Sequence, residues 1–257
     1  MRTIKLLIQY NGAGFSGWQI QPGKRTVQGT LQDTLRKVLC DDIALLGCSR
    51  TDAGVHALGQ VAHFKTKNPI ALSKLHQALK RLMPDDIAVI KVTDEAATFH
   101  SQHKAKKKLY RYWIWNAPIV QPHLKGMSWH IPKPLNLLAM KKAAKYLVGT
   151  HDFMSFRAAD ATTKTSVRTI YQIRFRKADW VGKVFENSKG GQGLFCIEFV
   201  GNGFLKNMIR NIMGTLVDIG RGRIPPEEMK VILKSRDRQQ AGMKVPAQGL
   251  FLVKVYY

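Results

Sequence analysis

Apolar residues recur with two different periods along this chain, and the order in which those periods follow one another limits the folds open to it. Ile4, Leu6, Ile8 and Tyr10 alternate with Lys5, Leu7 and Gln9, the period of two expected of a strand buried mainly on one face. Val27, Leu31, Leu35 and Val38 then recur at helical spacing behind Thr26, a residue suited to an N-cap. Leu72, Leu75, Leu79 and Leu82 mark a second helix, closed by Pro84. Further strands are expected at residues 43–46, 60–66, 109–115, 168–176, 194–200 and 250–256. Helices are expected over 134–147 and 204–219, with a short one opening at Pro225-Pro226 where Glu227 and Glu228 suit its positive end. Strands often follow one another without the long crossover that a parallel sheet requires. The expected class is therefore α+β: two α/β domains built on mixed, mainly antiparallel sheets flanked by helices. The basic cluster Lys104, Lys106, Lys107 and Lys108 places the boundary between residues 1–103 and 104–257, and the glycine-bearing stretch 188–193 reads as a hairpin or loop.

Charge says more about partners than hydrophobicity does. Lys and Arg number 41 against 17 Asp and Glu, a net charge of +24, more than solubility asks of a small protein. Residues 1–103 hold 13 basic and 8 acidic side chains, whereas 104–257 hold 28 and 9, so the excess lies in the second half. A polyanion is the implied partner, and nucleic acid is favoured over a membrane surface because the basic residues are dispersed and form no amphipathic basic helix. No run approaches the roughly 20 apolar residues that span a bilayer, and the N-terminus opens directly onto a strand pattern, so the expected location is cytoplasmic. Three cysteines, Cys40, Cys48 and Cys196, without a Cys-x-x-Cys pair read as buried free thiols, and the histidine spacing calls for no metal.

Gly12-Ala13-Gly14-Phe15-Ser16-Gly17 satisfies the dinucleotide-binding pattern after a strand, but its context fails. Trp18 to Gly23 continue as loop where a helix should begin, and Asp33, the acidic residue at the right distance, falls inside a helix. Glycines beside Phe15 and Trp18 suit close backbone approach and stacking on bases better. Asp52 sits in Arg50-Thr51-Asp52-Ala53-Gly54-Val55-His56, with Gly54 permitting a tight turn. Spacing alone describes a polar turn. Tyr110 by itself reads as a strand aromatic sharing a face with Tyr112 and Ile114, and Arg210 as a residue flanking a helical apolar stripe.

The segment SRTDAGVHALGQVAHF resembles the active-site signature of the tRNA pseudouridine synthase A family. IQYNGAGFSGWQIQP, KKLYRYWIWN, HDFMSFRA, GNGFLKNMIRNIMGTLVDIGRGR and VPAQGLFLVKVYY agree with it in order, so the resemblance covers nearly the whole chain. Two departures are Ser49, where the family usually has glycine, and Gln248, where a basic residue is common. The resemblance implies the pseudouridine synthase fold and an isomerase of uridines at positions 38–40 in the tRNA anticodon arm. It further implies a homodimer, Asp52 as the catalytic carboxylate, Tyr110 as the aromatic against the target uracil, Arg210 as the basic partner of Asp52 and Arg50 as an aid to base extrusion. Lys106, Lys107, Lys108 and Arg157 are assigned to the RNA backbone, which needs charge more than base-specific geometry. Moving uracil from a nitrogen to a carbon linkage consumes no redox equivalent, so no cofactor is expected. The rival readings are a non-catalytic RNA-binding protein, which charge and aromatics alone would explain, and a nucleotide-dependent oxidoreductase.

Overall fold

A computed structural model describes residues 1–160, 165–178 and 192–257, so the 188–193 stretch lies mostly outside the described residues. The chain forms two compact units, residues 1–107 with 251–257 and residues 108–250. The first unit holds β1 (Arg2–Tyr10), α1 (Val27–Leu39), β2 (Leu46–Gly47), β3 (His56–Thr66), α2 (Leu72–Leu82) and β4 (Ile87–Glu95). The second holds β5 (Lys107–Asn116), β6 (Trp129–Ile131), α3 (Leu137–Lys145), β7 (Gly149–Asp152), β8 (Val167–Lys177) and β9 (Gly193–Gly201). It also holds α4 (Met208–Gly220) and α5 (Glu228–Ser235), and β10 (Leu250–Tyr256) then returns to the first unit. A terminal strand finds its partner by tertiary pairing, which local sequence does not record.

In the first unit the strands run β4-β1-β3-β10. β1 lies antiparallel to β3 and β4, β2 antiparallel to β3, and β10 parallel to β3. In the second the order is β5-β9-β8-β7, antiparallel throughout, with β6 parallel to β5. The mixed, mainly antiparallel α/β architecture expected from the strand spacing is the one observed. Among the described residues no helix is long and apolar enough to cross a membrane.

Local chemistry explains where elements begin and end. Thr26 caps α1, its hydroxyl accepting from Gly29 N, and the helix buries Val27, Leu31, Leu35 and Leu39, while β1 buries Ile4, Leu6 and Ile8. Residues 43–45 are not a strand, and α1 side chains take up the backbone of Leu45. Gln28 Nε2 donates to Leu45 O at 2.7 Å, and Leu45 N donates to Gln32 Oε1 at 3.0 Å. α4 starts at Met208, later than periodicity implies, because Asn207 adopts a left-handed φ of 61°. β4 was not anticipated, since as an edge strand it buries only Ile87 and Val89. Cys48 and Cys196 are buried, but Cys40 is exposed, ending α1 in a left-handed turn.

One ion-pair cluster crosses the second sheet. Glu198 on β9, 6% exposed, accepts from Arg111 of β5 and from Arg176 of β8, each at 2.7 Å. Burial pushes its carboxyl up, but the hydrogen bonds and charges of Arg176 and Arg111 outweigh this and hold it below its ordinary value of 4.5. A carboxylate depressed in the folded state stabilises at pH above its unfolded value, and loses that contribution as pH falls through the folded value. Glu198→Gln is therefore expected to cost about 1–3 kcal/mol at neutral pH. In urea titrations the gap between wild type and variant should close progressively below about pH 4.5.

Candidate active site

The Asp52 loop is shaped by contacts that hold its backbone from beneath. Asp52 O accepts from Val55 N at 3.1 Å, closing a turn in which Gly54 takes a φ of 78°, a conformation that favours glycine at this position. Thr51 is anchored twice: its Oγ1 lies 2.8 Å from the buried Tyr10 hydroxyl, and its carbonyl accepts from Trp18 N at 3.0 Å. Upstream, Gln60 grips Ser49, donating to its carbonyl at 2.6 Å and accepting from its amide at 3.3 Å. Downstream, His56 Nδ1 accepts from Gly12 N at 3.1 Å, and its ring stacks on Phe251 at 4.5 Å.

The glycines set aside as a dinucleotide motif turn out to form the seat of this loop. A Cβ on Gly12 would lie 2.1 Å from Val55 O, and one on Gly17, at φ 94°, would lie 2.7 Å from Thr51 O. Their close-approach role is thus real, but the backbone approached is the protein's own. Phe15 and Trp18 depart from the stacking role expected of them. They are 4% and 1% exposed, with Arg25 seated over Phe15 at 4.0 Å and Trp18 packed where Gly47 lacks a side chain. Rings so enclosed wall the loop. Arg50 is exposed and Asp52 half-buried, so both side chains reach the surface from a backbone that is otherwise fixed.

In the second unit Tyr110 is 7% exposed and meets Phe204 edge-on, with ring centroids 5.2 Å apart. Arg210 is half-buried on α4, a helix buried on nearly every other side, in keeping with the flanking position read from its periodicity. Its Nε donates to Val245 O at 2.8 Å and its Nη1 to Asn207 Oδ1 at 3.3 Å. Arg157 is half-buried beside the loop entering α4, where Ala158 N donates to Lys206 O at 3.0 Å. Lys106 and Lys107 are exposed and Lys108 half-buried; the Lys107 ammonium lies 4.8 Å from the Tyr256 ring. The structure thus brings Arg50 and Asp52 onto one seated loop, and Arg157 and Arg210 to the region where α4 begins. Gln60 and Tyr10 were missed as supports; a buried glutamine in an apolar strand and a tyrosine closing an alternating one were the available signals.

A family model described as tRNA pseudouridine synthase matches residues 6–103 and 143–257. The chain is 42% identical to a tRNA pseudouridine synthase A of Thermoanaerobacter sp. (strain X514) and 41% identical to one of Acetivibrio thermocellus. It is 39% identical to one of Caldicellulosiruptor saccharolyticus, and all three alignments cover the whole of both chains. The chain is a pseudouridine synthase, an isomerase. It belongs to the tRNA pseudouridine synthase A family.

The seating of the loop has a direct consequence. Gly12→Ala must push Val55 and the turn apart, which is expected to cost about 1–3 kcal/mol. Hydrogen exchange should show the Val55 amide losing protection while amides in the middle of β8 and β9 keep theirs.

Proposed function

We propose that this protein converts uridine to pseudouridine at positions 38–40 of the tRNA anticodon arm, with the Asp52 carboxylate as the catalytic group. The observation that carries this reading is the braced turn. Backbone and buried side chains hold Thr51, Val55 and His56, and leave the Asp52 and Arg50 side chains at the surface. In the reaction the glycosidic bond from the anomeric carbon to N1 breaks, the uracil turns, and a bond forms to C5. The C5 proton is removed and N1 gains one, so atoms and electrons balance without a co-reactant. A carboxylate serves as nucleophile toward the sugar or the ring, or as base for the C5 proton.

Arg210 is the basic partner of Asp52 in this reading, keeping the carboxylate ionised against desolvation. Tyr110 packs on the extruded uracil, and stacking worth about 1–3 kcal/mol offsets part of the extrusion cost. Arg50 aids extrusion, while Lys106, Lys107, Lys108 and Arg157 contact phosphates. The enzyme acts as a homodimer, as the family resemblance implies.

Asp52→Asn keeps shape and removes charge. It is expected to bind undermodified tRNA within about threefold of wild type and to form no pseudouridine, whereas wild-type conversion would refute the assignment. The same experiment excludes a purely RNA-binding role if wild type converts and the variant does not. Basic excess beyond residue 103 predicts a steep salt response. Affinity for tRNA should fall at least tenfold between about 50 and 200 mM salt with circular dichroism unchanged, and a flat profile would move recognition onto shape and stacking.

A further inference from the structure

A long side chain near a helix entrance samples many rotamers unless its head group is tied down. Arg210 is tied in part by Val245. Its Nε donates to Val245 O at 2.8 Å, and its own main-chain carbonyl accepts from Val245 N at 3.5 Å, so Val245 grips side chain and backbone together. The Asn207 amide oxygen accepts from Nη1 at 3.3 Å. With two nitrogens engaged, the planar guanidinium keeps one orientation.

Val245 is itself held by a strap, residues 241–246, laid along α4. The strap reaches the helix because two glycines lack side chains. A Cβ on Gly214 would lie 2.0 Å from Met243 O, and one on Gly242 would lie 2.5 Å from Thr215 N. Gly242 N donates to Thr215 Oγ1 at 2.8 Å, and Arg238 spans Ala241 O and Asn211 Oδ1, each at 3.0 Å. These contacts fix the strap before Val245. Beyond it, the hydroxyl of Tyr112 on β5 donates to Pro246 O at 2.7 Å. Tyr112 is fully buried, and burial pushes its hydroxyl's pKa far above the ordinary value, with the nearby Arg210 charge opposing. It therefore remains a protonated donor at any working pH.

We propose that Tyr112 is a positioning residue for the isomerisation, its hydroxyl fixing the Val245-Pro246 segment whose carbonyl sets the Arg210 guanidinium. The inference rests on the reading of Arg210 as the basic partner of the catalytic carboxylate. Tyr110 and Tyr112 lie two residues apart on β5 and share a face, so one strand would place both the ring against the uracil and the anchor behind the arginine.

The test is a double-mutant cycle read in single-turnover rates of pseudouridine formation and in tRNA dissociation constants. Tyr112→Phe keeps the ring and its packing, and Asn207→Gly keeps the left-handed backbone while removing the Nη1 acceptor. Each is expected to slow conversion about tenfold with tRNA binding within twofold, the effect of losing one hydrogen bond to the positioning of a charged group. Arg210→Lys should slow conversion at least a hundredfold, and adding either other substitution to it should change the rate less than twofold. A tenfold loss repeated in the Arg210→Lys background would overturn the proposal, as would a Tyr112→Phe defect confined to tRNA binding. Wild-type conversion by Tyr112→Phe and Asn207→Gly beside an impaired Arg210→Lys removes the positioning role alone. Wild-type conversion by Arg210→Lys removes the reading of Arg210 on which it rests.

Discussion

Backbone pressed directly on backbone, where glycine leaves out a side chain, is the contact on which the candidate site depends. Gly12 and Gly17 bring the loop after β1 against Val55 and Thr51, at distances that no Cβ would permit. Once the two loops touch, the remaining locks become possible: Tyr10 on Thr51, His56 on Gly12, and the Trp18 amide on the Thr51 carbonyl. The result is a turn whose backbone is held on several sides. That suits a catalytic carboxylate, because a group displaced by an ångström loses much of its advantage of orientation.

The second unit uses the same device for a different side chain. Gly214 and Gly242 let an extended strap lie on α4, and hydrogen bonds to Thr215 and from Arg238 and Tyr112 then lock it. In each unit a glycine contact sets the approach and a buried polar group fixes the register, and a charged residue is oriented as the outcome. Buried polar groups stabilise when they are paired, and the hydrogen bonds that join Tyr10 to Thr51, Gly12 to His56 and Tyr112 to Pro246 lie at 2.8, 3.1 and 2.7 Å.

Periodicity made the scaffold legible. Alternation marked β1, β5, β8, β9 and β10, and helical spacing with Thr26 marked α1 and placed Arg210 beside an apolar stripe. Misreadings arose wherever a tertiary contact overrode local pattern. Residues 43–45 look like a strand, but Gln28 and Gln32 take up the backbone of Leu45. Phe15 and Trp18 look available for stacking, but the glycine loop folds them inward. Leu82 fits the stripe of α2 yet, as the last residue of the helix, is 56% exposed. The role of Asp52 was not legible from spacing, which describes only a turn. The catalytic role proposed for it rests on the family resemblance of the ordered motifs along the chain, and the structure adds the contacts that hold the backbone of that turn.

The central claim, that this protein isomerises uridines in the tRNA anticodon arm, is tested most directly by position. Purified protein incubated with an unmodified tRNA bearing uridines inside and outside the anticodon arm can be followed by mapping pseudouridine at every uridine. The account predicts pseudouridine at positions 38–40 and at no other uridine. Conversion elsewhere, or none at all with intact binding, would contradict it.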